Sequence, residues 1–193
     1  MVQWYHLVLS AYGFWLPNDP RGSWSNFVKS FELFQVGGPA TTVDSKRSFA
    51  HDPHDAVARR ATKEAMIRSP VRFTSAARDS IAASFGECCQ NYGFRIHACA
   101  ISHDHVHLIL ARDAVRTIEQ VATVLKAKAT MRMTRDQNHP CEGMRPVPTP
   151  WAKKCWSVFI EDDLQLEQAI QYVQRHPLKD GTGAQRWDWI SPV

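Results

Sequence analysis

Two strand-like segments with a very short connection constrain the fold of this chain most. Residues 94–101 and 105–111 are rich in apolar side chains, and only a Ser-His-Asp tripeptide separates them. A connection of three residues predicts an antiparallel β-hairpin. In the second segment Val106, Leu108 and Leu110 occupy alternate positions, so one face of that strand is expected to point into the core.

The segments before and after this hairpin predict the other elements of the fold. Apolar and aromatic content indicates strands, and periodic apolar positions between capping residues indicate helices. The additional elements are a strand at 5–11, helices at 74–92 and 117–135, a strand at 155–160, and a helix that begins near 162 and stops at Pro177. The order β-α-β-β-α-β with one more helix predicts an α+β fold: a ferredoxin-like or RRM-like antiparallel sheet with helices on one face, plus the C-terminal helix.

One long stretch near the N-terminus departs from this pattern. From about residue 17 to 72 the chain is interrupted by turn-forming residues such as Asn18, Gly22 and Gly37. We interpret this stretch as a loop-rich insertion within a single domain that spans residues 1–193, a length typical of one domain.

Composition argues against several classes of protein. A hydrophobic share of 44% is typical of a folded globular chain rather than a disordered one. No apolar run in the sequence approaches the roughly 18 residues of a membrane-spanning helix, and the N-terminus lacks a secretory signal pattern. The five cysteines are odd in number and include no C-x-x-C pair, which argues against a disulfide framework and a cysteine zinc site. We therefore expect a cytoplasmic protein that does not associate with membranes.

A pair of histidines stands out in the second hairpin strand. His105 and His107 are two residues apart, so both imidazoles are expected on the face opposite Val106 and Leu108. Two imidazoles that converge from one rigid strand make good metal ligands. Two solvent-facing histidines without a ligand are the plainer alternative.

A second pair of residues lies on the last predicted helix. Tyr172 and His176 are four residues apart and are therefore neighbours on the helical surface. A tyrosine at the edge of a packed helix is most often structural, with its ring packed and its hydroxyl in water. A histidine just before Pro177 can simply interact with the last carbonyls of the helix. The pair gains significance only in combination with His105 and His107.

Four segments of the chain together resemble the HUH single-tyrosine transposases. Residues 100–109 (AISHDHVHLI) are similar to the histidine-pair strand of that family, and residues 171–181 (QYVQRHPLKDG) are similar to its tyrosine helix. This helix is most similar to the REP-associated tyrosine transposase branch, where the usual pattern is Tyr-x-x-x-Asn-Pro-x-x-x-Gly. Residues 12–23 and 151–160 also resemble stretches of transposase-like proteins in this branch. The histidine pair alone is weakly specific, whereas its combination with a Tyr…Pro…Gly helix in this order is strongly so.

Two positions depart from the pattern of the family. Asp104 stands directly before the first histidine, where the family usually has Asn, and His176 stands where it usually has Asn or Gln. Imidazole binds divalent transition metals at least as well as an amide does. We therefore expect the metal site to persist, with its preference moved from Mg²⁺ towards Mn²⁺. A decayed copy of the gene is the other interpretation of these changes.

The resemblance implies an activity of the insertion-sequence transposase type and a set of functional residues. Tyr172 would attack a DNA phosphodiester as the catalytic nucleophile and form a 5′-phosphotyrosine bond. His105, His107 and His176 would bind a divalent metal, Mg²⁺ or Mn²⁺. The substrate would be single-stranded DNA, which in this family usually folds into hairpins. The resemblance leaves open whether one chain or a homodimer completes the site.

Basic residues provide candidates for contacts with the strand. The net charge of +4 is compatible with binding a polyanion if the charge is clustered. Basic side chains near aromatic ones suit single strands, because they combine phosphate neutralisation with base stacking. The candidates are Lys126, Lys128, Arg132 and Arg135 on the second helix, and Lys153, Lys154, Arg175 and Lys179 near the tyrosine helix. A solvated basic face is an equally good interpretation of each of them.

Two other functions fit parts of the sequence. Residues 103–109 (HDHVHLI) approach the pattern of histidine-triad nucleotide hydrolases. However, Asp104 occupies a position that such hydrolases fill with a hydrophobic residue, and Tyr172 would have no role in them. A non-catalytic, domesticated nucleic-acid-binding module on the same fold would retain DNA binding without cleavage.

Overall fold

The computed structural model describes residues 3–14, 35–36 and 56–193. Its elements in chain order are β1 (Trp4–Ser10), α1 (Ala56–Glu64), α2 (Ser75–Tyr92), β2 (Ile96–Ile101), β3 (His105–Ala111), α3 (Ile118–Arg135), β4 (Trp156–Ile160) and α4 (Asp163–Lys179). The four strands form one antiparallel sheet with the order β2-β3-β1-β4. The predicted hairpin is confirmed as β2 and β3.

Helices pack on both faces of this sheet. α2 and α3 cover one face, where Leu7 of β1 and Leu108 of β3 are fully buried in the larger core. α4 covers the opposite face and buries Leu166 and Val173 against Ile109 of β3. The predicted α+β fold, an antiparallel sheet with helices on one face plus a C-terminal helix, is confirmed.

Local capping explains where the helices begin and end. Thr74 accepts a hydrogen bond from the Ala77 N–H at 3.1 Å and starts α2. Gly93 ends α2 at a φ of 71°, a left-handed conformation that favours glycine. Asp162 accepts from the Gln165 N–H at 2.8 Å and starts α4. The start and end of α2 and the start of α4 agree with the helices predicted at 74–92 and from about 162.

The end of α4 differs from the prediction. Pro177 was expected to stop this helix, but the helix continues through it to Lys179. Proline cannot donate a backbone N–H bond to the preceding turn, but the residues after it still donate to carbonyls earlier in the chain. The Asp180 N–H donates to the His176 carbonyl at 3.1 Å, and the Thr182 N–H donates to the Pro177 carbonyl at 2.9 Å. His176 therefore lies inside the helix, one turn after Tyr172.

The C-terminal segment, residues 181–193, runs along the outer edge of β2. The Gln185 side chain accepts from the Ile101 N–H and donates to the Ile101 carbonyl, both at 2.8 Å. The Ser191 N–H donates to the Ile96 carbonyl, also at 2.8 Å. These bonds satisfy backbone groups at an edge that would otherwise be open to pairing with another chain.

The predicted loop-rich insertion at about 17–72 lies largely outside the described residues. Its described part contains α1, a helix of nine residues. No helix within the described ranges is long and apolar enough to cross a membrane.

Candidate metal and tyrosine site

Three histidines from β3 and α4 meet on the α4 face of the sheet. His105 and His107 point to this face from β3, and His176 approaches from α4. Their potential ligand atoms all lie within 4.8 Å of one another. The ring centroid of His107 is 4.7 Å from that of His105 and 4.4 Å from that of His176. The three residues that the sequence singled out as metal ligands are therefore neighbours in space.

Tyr172 lies beside this cluster. Its ring centroid is 5.6 Å from that of His107 and 5.7 Å from that of His176. The side chain is 45% exposed, so the phenol can be reached from solvent. Partial burial, and secondarily the Asp180 carboxylate, raise the pKa of Tyr172 above its usual value of 10. The phenol is therefore protonated at neutral pH.

A fourth histidine, His6, was not predicted as part of the site. Its Nε2 lies 2.9 Å from His107 Nδ1. Burial, followed by the charges of His176 and His105, lowers the pKa of His6 to about 4. In the antiparallel register Val8 stands opposite His107, so the even-numbered residues of β1 share the face of His107. Alternation along β1 could have revealed His6, but only once β1 was known to pair with β3.

Two carboxylates contact the outer edge of the histidine cluster. Asp104 Oδ1 lies 2.6 Å from His105 Nδ1, and Asp180 Oδ2 lies 3.8 Å from His176 Nε2. The carboxylate of Asp104 is thus the group that orients the first histidine of the pair. A ligating histidine that bonds a carboxylate through its other nitrogen is a recurrent feature of metal sites.

The chemistry of this donor set fits a divalent metal. Burial is the main cause that lowers the pKa of His107 well below its usual value and also lowers the pKa of His176. Both imidazoles are therefore neutral at pH 7, which is the form that binds a metal ion. Three histidine ligands would leave further coordination positions of such an ion open, as in catalytic sites.

The four basic residues predicted on α3 lie away from this site, because α3 packs on the other face of the sheet. Lys126 donates to the carbonyls of Ala152 and Lys154 at 2.8 and 2.7 Å, and burial lowers its pKa to about 8. Lys128 lies 5.7 Å from the centre of the Tyr92 ring. These amines are engaged by groups of the fold itself.

The two arginines of α3 form an ion-pair cluster. Arg132 contacts Glu87 at 2.6 Å and Asp136 at 2.7 Å. Arg135 contacts the same two carboxylates at 3.4 and 3.6 Å. Their charge is compensated locally, so they contribute less to a field that would attract DNA.

The other four predicted basic residues lie near Tyr172 or at the same end of the sheet. Arg175 and Lys179 are exposed on α4, and Lys179 Nζ lies 5.8 Å from the centre of the Tyr172 ring. Lys153 and Lys154 are exposed just before β4. The first residue of β4 stands opposite Val8, whose other neighbour is His107, so this lysine pair lies at the histidine end of the sheet.

Comparison with known proteins assigns the family. The family model of IS200-like transposases matches residues 65–176. This match covers more than half of the chain and includes both strand histidines, Tyr172 and His176. The chain belongs to this family. No curated protein matches it.

Two solved structures share weak similarity with this IS200-like transposase. One is a REP-associated tyrosine transposase bound to a REP hairpin, with 11% identity and a TM-score of 0.44 over 93% of this chain and 68% of the other. The second is a protein of Deinococcus radiodurans R1 assigned as a transposase, with 14% identity and a TM-score of 0.42 over 91% and 92% of the two chains.

The family assignment confirms the resemblance found in the sequence. An IS200-like transposase is a DNA-processing protein of the transposition type. The assignment favours this function over a histidine-triad nucleotide hydrolase, in which Tyr172 would have no role.

Proposed function

We propose that this IS200-like transposase is a metal-dependent endonuclease and strand transferase that acts on single-stranded DNA through Tyr172. The observation that carries the proposal is the position of one accessible phenol beside three imidazoles, with its ring 5.6 Å from that of His107. A nucleophile next to a potential metal site is the arrangement that phosphoryl transfer requires.

Tyr172 supplies the attacking oxygen. Its Oη forms a bond to phosphorus while the bond between phosphorus and the 3′-oxygen breaks, which gives a 5′-phosphotyrosine and a 3′-hydroxyl. The phenolic proton leaves Tyr172, and the departing 3′-oxygen takes up a proton. Because the phosphoester is conserved, a 3′-hydroxyl can later attack it and rejoin the strand without ATP. Consistent with this, the sequence contains no Gly-x-x-x-x-Gly-Lys phosphate loop.

His105, His107 and His176 are the residues that would hold the metal. An ion held by these three imidazoles would polarise the phosphate and offset the charge that develops in the transition state. Three imidazoles suit Mn²⁺ or another transition metal better than Mg²⁺, which prefers oxygen ligands.

Basic residues near Tyr172 would guide the strand. Arg175 and Lys179 follow Tyr172 by three and seven residues, so they share its side of α4. Lys153 and Lys154 extend the positive charge towards the histidine end of the sheet. Trp156, whose ring centroid is 5.8 Å from that of His6, adds an aromatic surface. Basic and aromatic groups together are suited to single strands.

The test is formation of a covalent adduct. The protein is incubated with a labelled, hairpin-forming single strand and either Mg²⁺ or Mn²⁺, and SDS-resistant label is measured. We expect an adduct with metal, its loss with a chelator, and its loss in Tyr172→Phe. Tyr5→Phe is the matched control, because Tyr5 points to the other face of β1, and it should retain the adduct.

Two results would contradict the proposal. An adduct that persists in Tyr172→Phe would exclude Tyr172 as the nucleophile. DNA binding without any adduct, with either metal, would instead favour the non-catalytic nucleic-acid-binding module.

A further inference from the structure

Each strand histidine is held at its Nδ1 by a neighbouring side chain. Asp104 lies at the Nδ1 of His105 and His6 lies at the Nδ1 of His107, at 2.6 and 2.9 Å. The two contacts come from different places in the fold, since Asp104 belongs to the hairpin turn and His6 to β1. In each of these two contacts the other ring nitrogen of the strand histidine, Nε2, takes no part.

The contact with Asp104 defines the tautomer of His105. An ionised carboxylate only accepts hydrogen bonds, so His105 Nδ1 must carry the proton and donate it. In a neutral imidazole the Nε2 of His105 then has a lone pair. This nitrogen lies 2.9 Å from His176 Nε2, so His176 donates in that contact. Both hydrogen bonds of His105 are consistent with one tautomer.

His6 contacts the Nδ1 of His107 in the same way as Asp104 contacts the Nδ1 of His105. The rings of His6 and His107 are 5.0 Å apart and tilted by 35°, with His6 Nε2 directed at His107 Nδ1. β1 pairs with both β3 and β4, and His6 stands opposite Ile109 and Val158. Its position in a central strand therefore fixes the His6 ring relative to His107. Such partners of a ligand usually affect metal affinity 10- to 100-fold.

We propose that His6 and Asp104 are positioning residues that hold both strand histidines as their Nδ1–H tautomers, so that each presents Nε2 to the metal. In this arrangement His6 Nε2 accepts the proton of His107 Nδ1, and Asp104 accepts that of His105. The inference rests on the proposed metal site, but it does not require DNA cleavage.

The tautomers can be read directly in the metal-free protein. Two-bond ¹H–¹⁵N NMR spectra distinguish Nδ1–H from Nε2–H imidazoles, and the His105 and His107 signals are assigned by their loss in His105→Gln and His107→Gln. We expect Nδ1–H for both. An Nε2–H tautomer of His107 would mean that His6 donates instead, and would overturn the proposal.

Metal affinity provides an independent test. Calorimetric titration with Mn²⁺ should show 10- to 100-fold weaker binding for His6→Leu and for Asp104→Ala. His6→Gln and Asp104→Asn keep an acceptor oxygen, and we expect them to recover most of the affinity. His97→Gln is the control, because His97 is a buried histidine of β2 that contacts the Ser191 carbonyl instead.

The outcomes separate this inference from the proposed nuclease. Wild-type affinity in folded His6→Leu, or no Mn²⁺ binding by the wild type, would overturn the positioning role. A protein that shows the expected tautomers and affinities but forms no DNA adduct would contradict the nuclease proposal and leave this inference standing.

Discussion

At the scale of single residues, the least favourable feature of the proposed mechanism is the phenol itself. A tyrosine attacks phosphorus as the phenolate, yet burial and the Asp180 carboxylate both raise the pKa of Tyr172. The Asp180 carboxylate therefore adds to the cost of deprotonating this phenol.

Removal of the negative charge at Asp180 should activate Tyr172. In Asp180→Asn we expect a lower pKa of Tyr172, a larger phenolate fraction at any pH below that pKa, and faster adduct formation. The pKa of Tyr172 can be measured without metal or DNA by near-ultraviolet titration. The spectrum of the Tyr172→Phe variant is subtracted from that of the wild type, and likewise in the Asp180→Asn background. Asp188→Asn, an exposed change in the C-terminal segment, is the control. An unchanged titration in Asp180→Asn would show that Asp180 does not act on the phenol.

Buried neutral histidines predict sensitivity to acid in the metal-free protein. The pKa of His6 is about 4 in the fold against 6.5 when exposed, so the unfolded chain binds more protons between these values. The contribution of neutral His6 to the free energy of unfolding is intact above pH 6.5. It is lost as the pH falls towards 4, by up to about 3 kcal/mol. Urea denaturation at pH 7 and pH 4.5 should show a smaller loss for His6→Gln than for the wild type. Equal losses would contradict a buried, neutral His6.

At the scale of elements, the sequence predicted what local patterns determine. Apolar alternation and helical periodicity are short-range features, and they placed the hairpin and the ends of α2 within two residues. His6 was missed because its role depends on strand pairing with β3, about a hundred residues away. The continuation of α4 past Pro177 was missed because a proline in the last turn removes one bond without ending the helix.

One contact between elements links α2 to the C-terminal segment. Trp189 packs so closely on Gly86 that a Cβ there would lie 2.7 Å from the indole ring. Gly86→Ala should displace Trp189. The resulting overpacking should cost about 1–3 kcal/mol, which exceeds the free energy of about 1 kcal/mol that alanine gains over glycine in a helix. We expect a lower free energy of unfolding and faster hydrogen exchange at the Ser191 and Ile101 amides.

A second substitution tests whether the contact is the cause. Trp189→Leu removes the indole ring with which the new Cβ of Gly86→Ala would overlap. The double variant should therefore be less destabilised than the sum of the two separate effects. Additive effects would indicate that Gly86 is needed for another reason.

At the scale of the whole molecule, the sheet separates the basic residues into two groups. The α3 group lies on the face opposite Tyr172, and Arg132 and Arg135 are compensated there by Glu87 and Asp136. The sequence placed the candidates in two groups, but it could not show that the α3 group is engaged within the fold. The partners of that group are remote in the chain: Glu87 is on α2, and the acceptors of Lys126 are backbone carbonyls before β4. The α3 group is therefore engaged by other groups of the fold, whereas Arg175 and Lys179 on α4 are exposed beside the phenol.

This separation predicts a difference in the salt dependence of DNA binding. Each lost phosphate contact with a single strand reduces the slope of log K against log salt by about 0.7. Arg175→Gln with Lys179→Gln should thus reduce the slope by about 1.4 and weaken binding irrespective of DNA sequence. Arg132→Gln with Arg135→Gln removes the same net charge but should leave the slope unchanged and lower the free energy of unfolding. Equal slopes for the two double variants, measured by fluorescence anisotropy over a salt series, would mean that binding responds to total charge rather than to the surface around Tyr172.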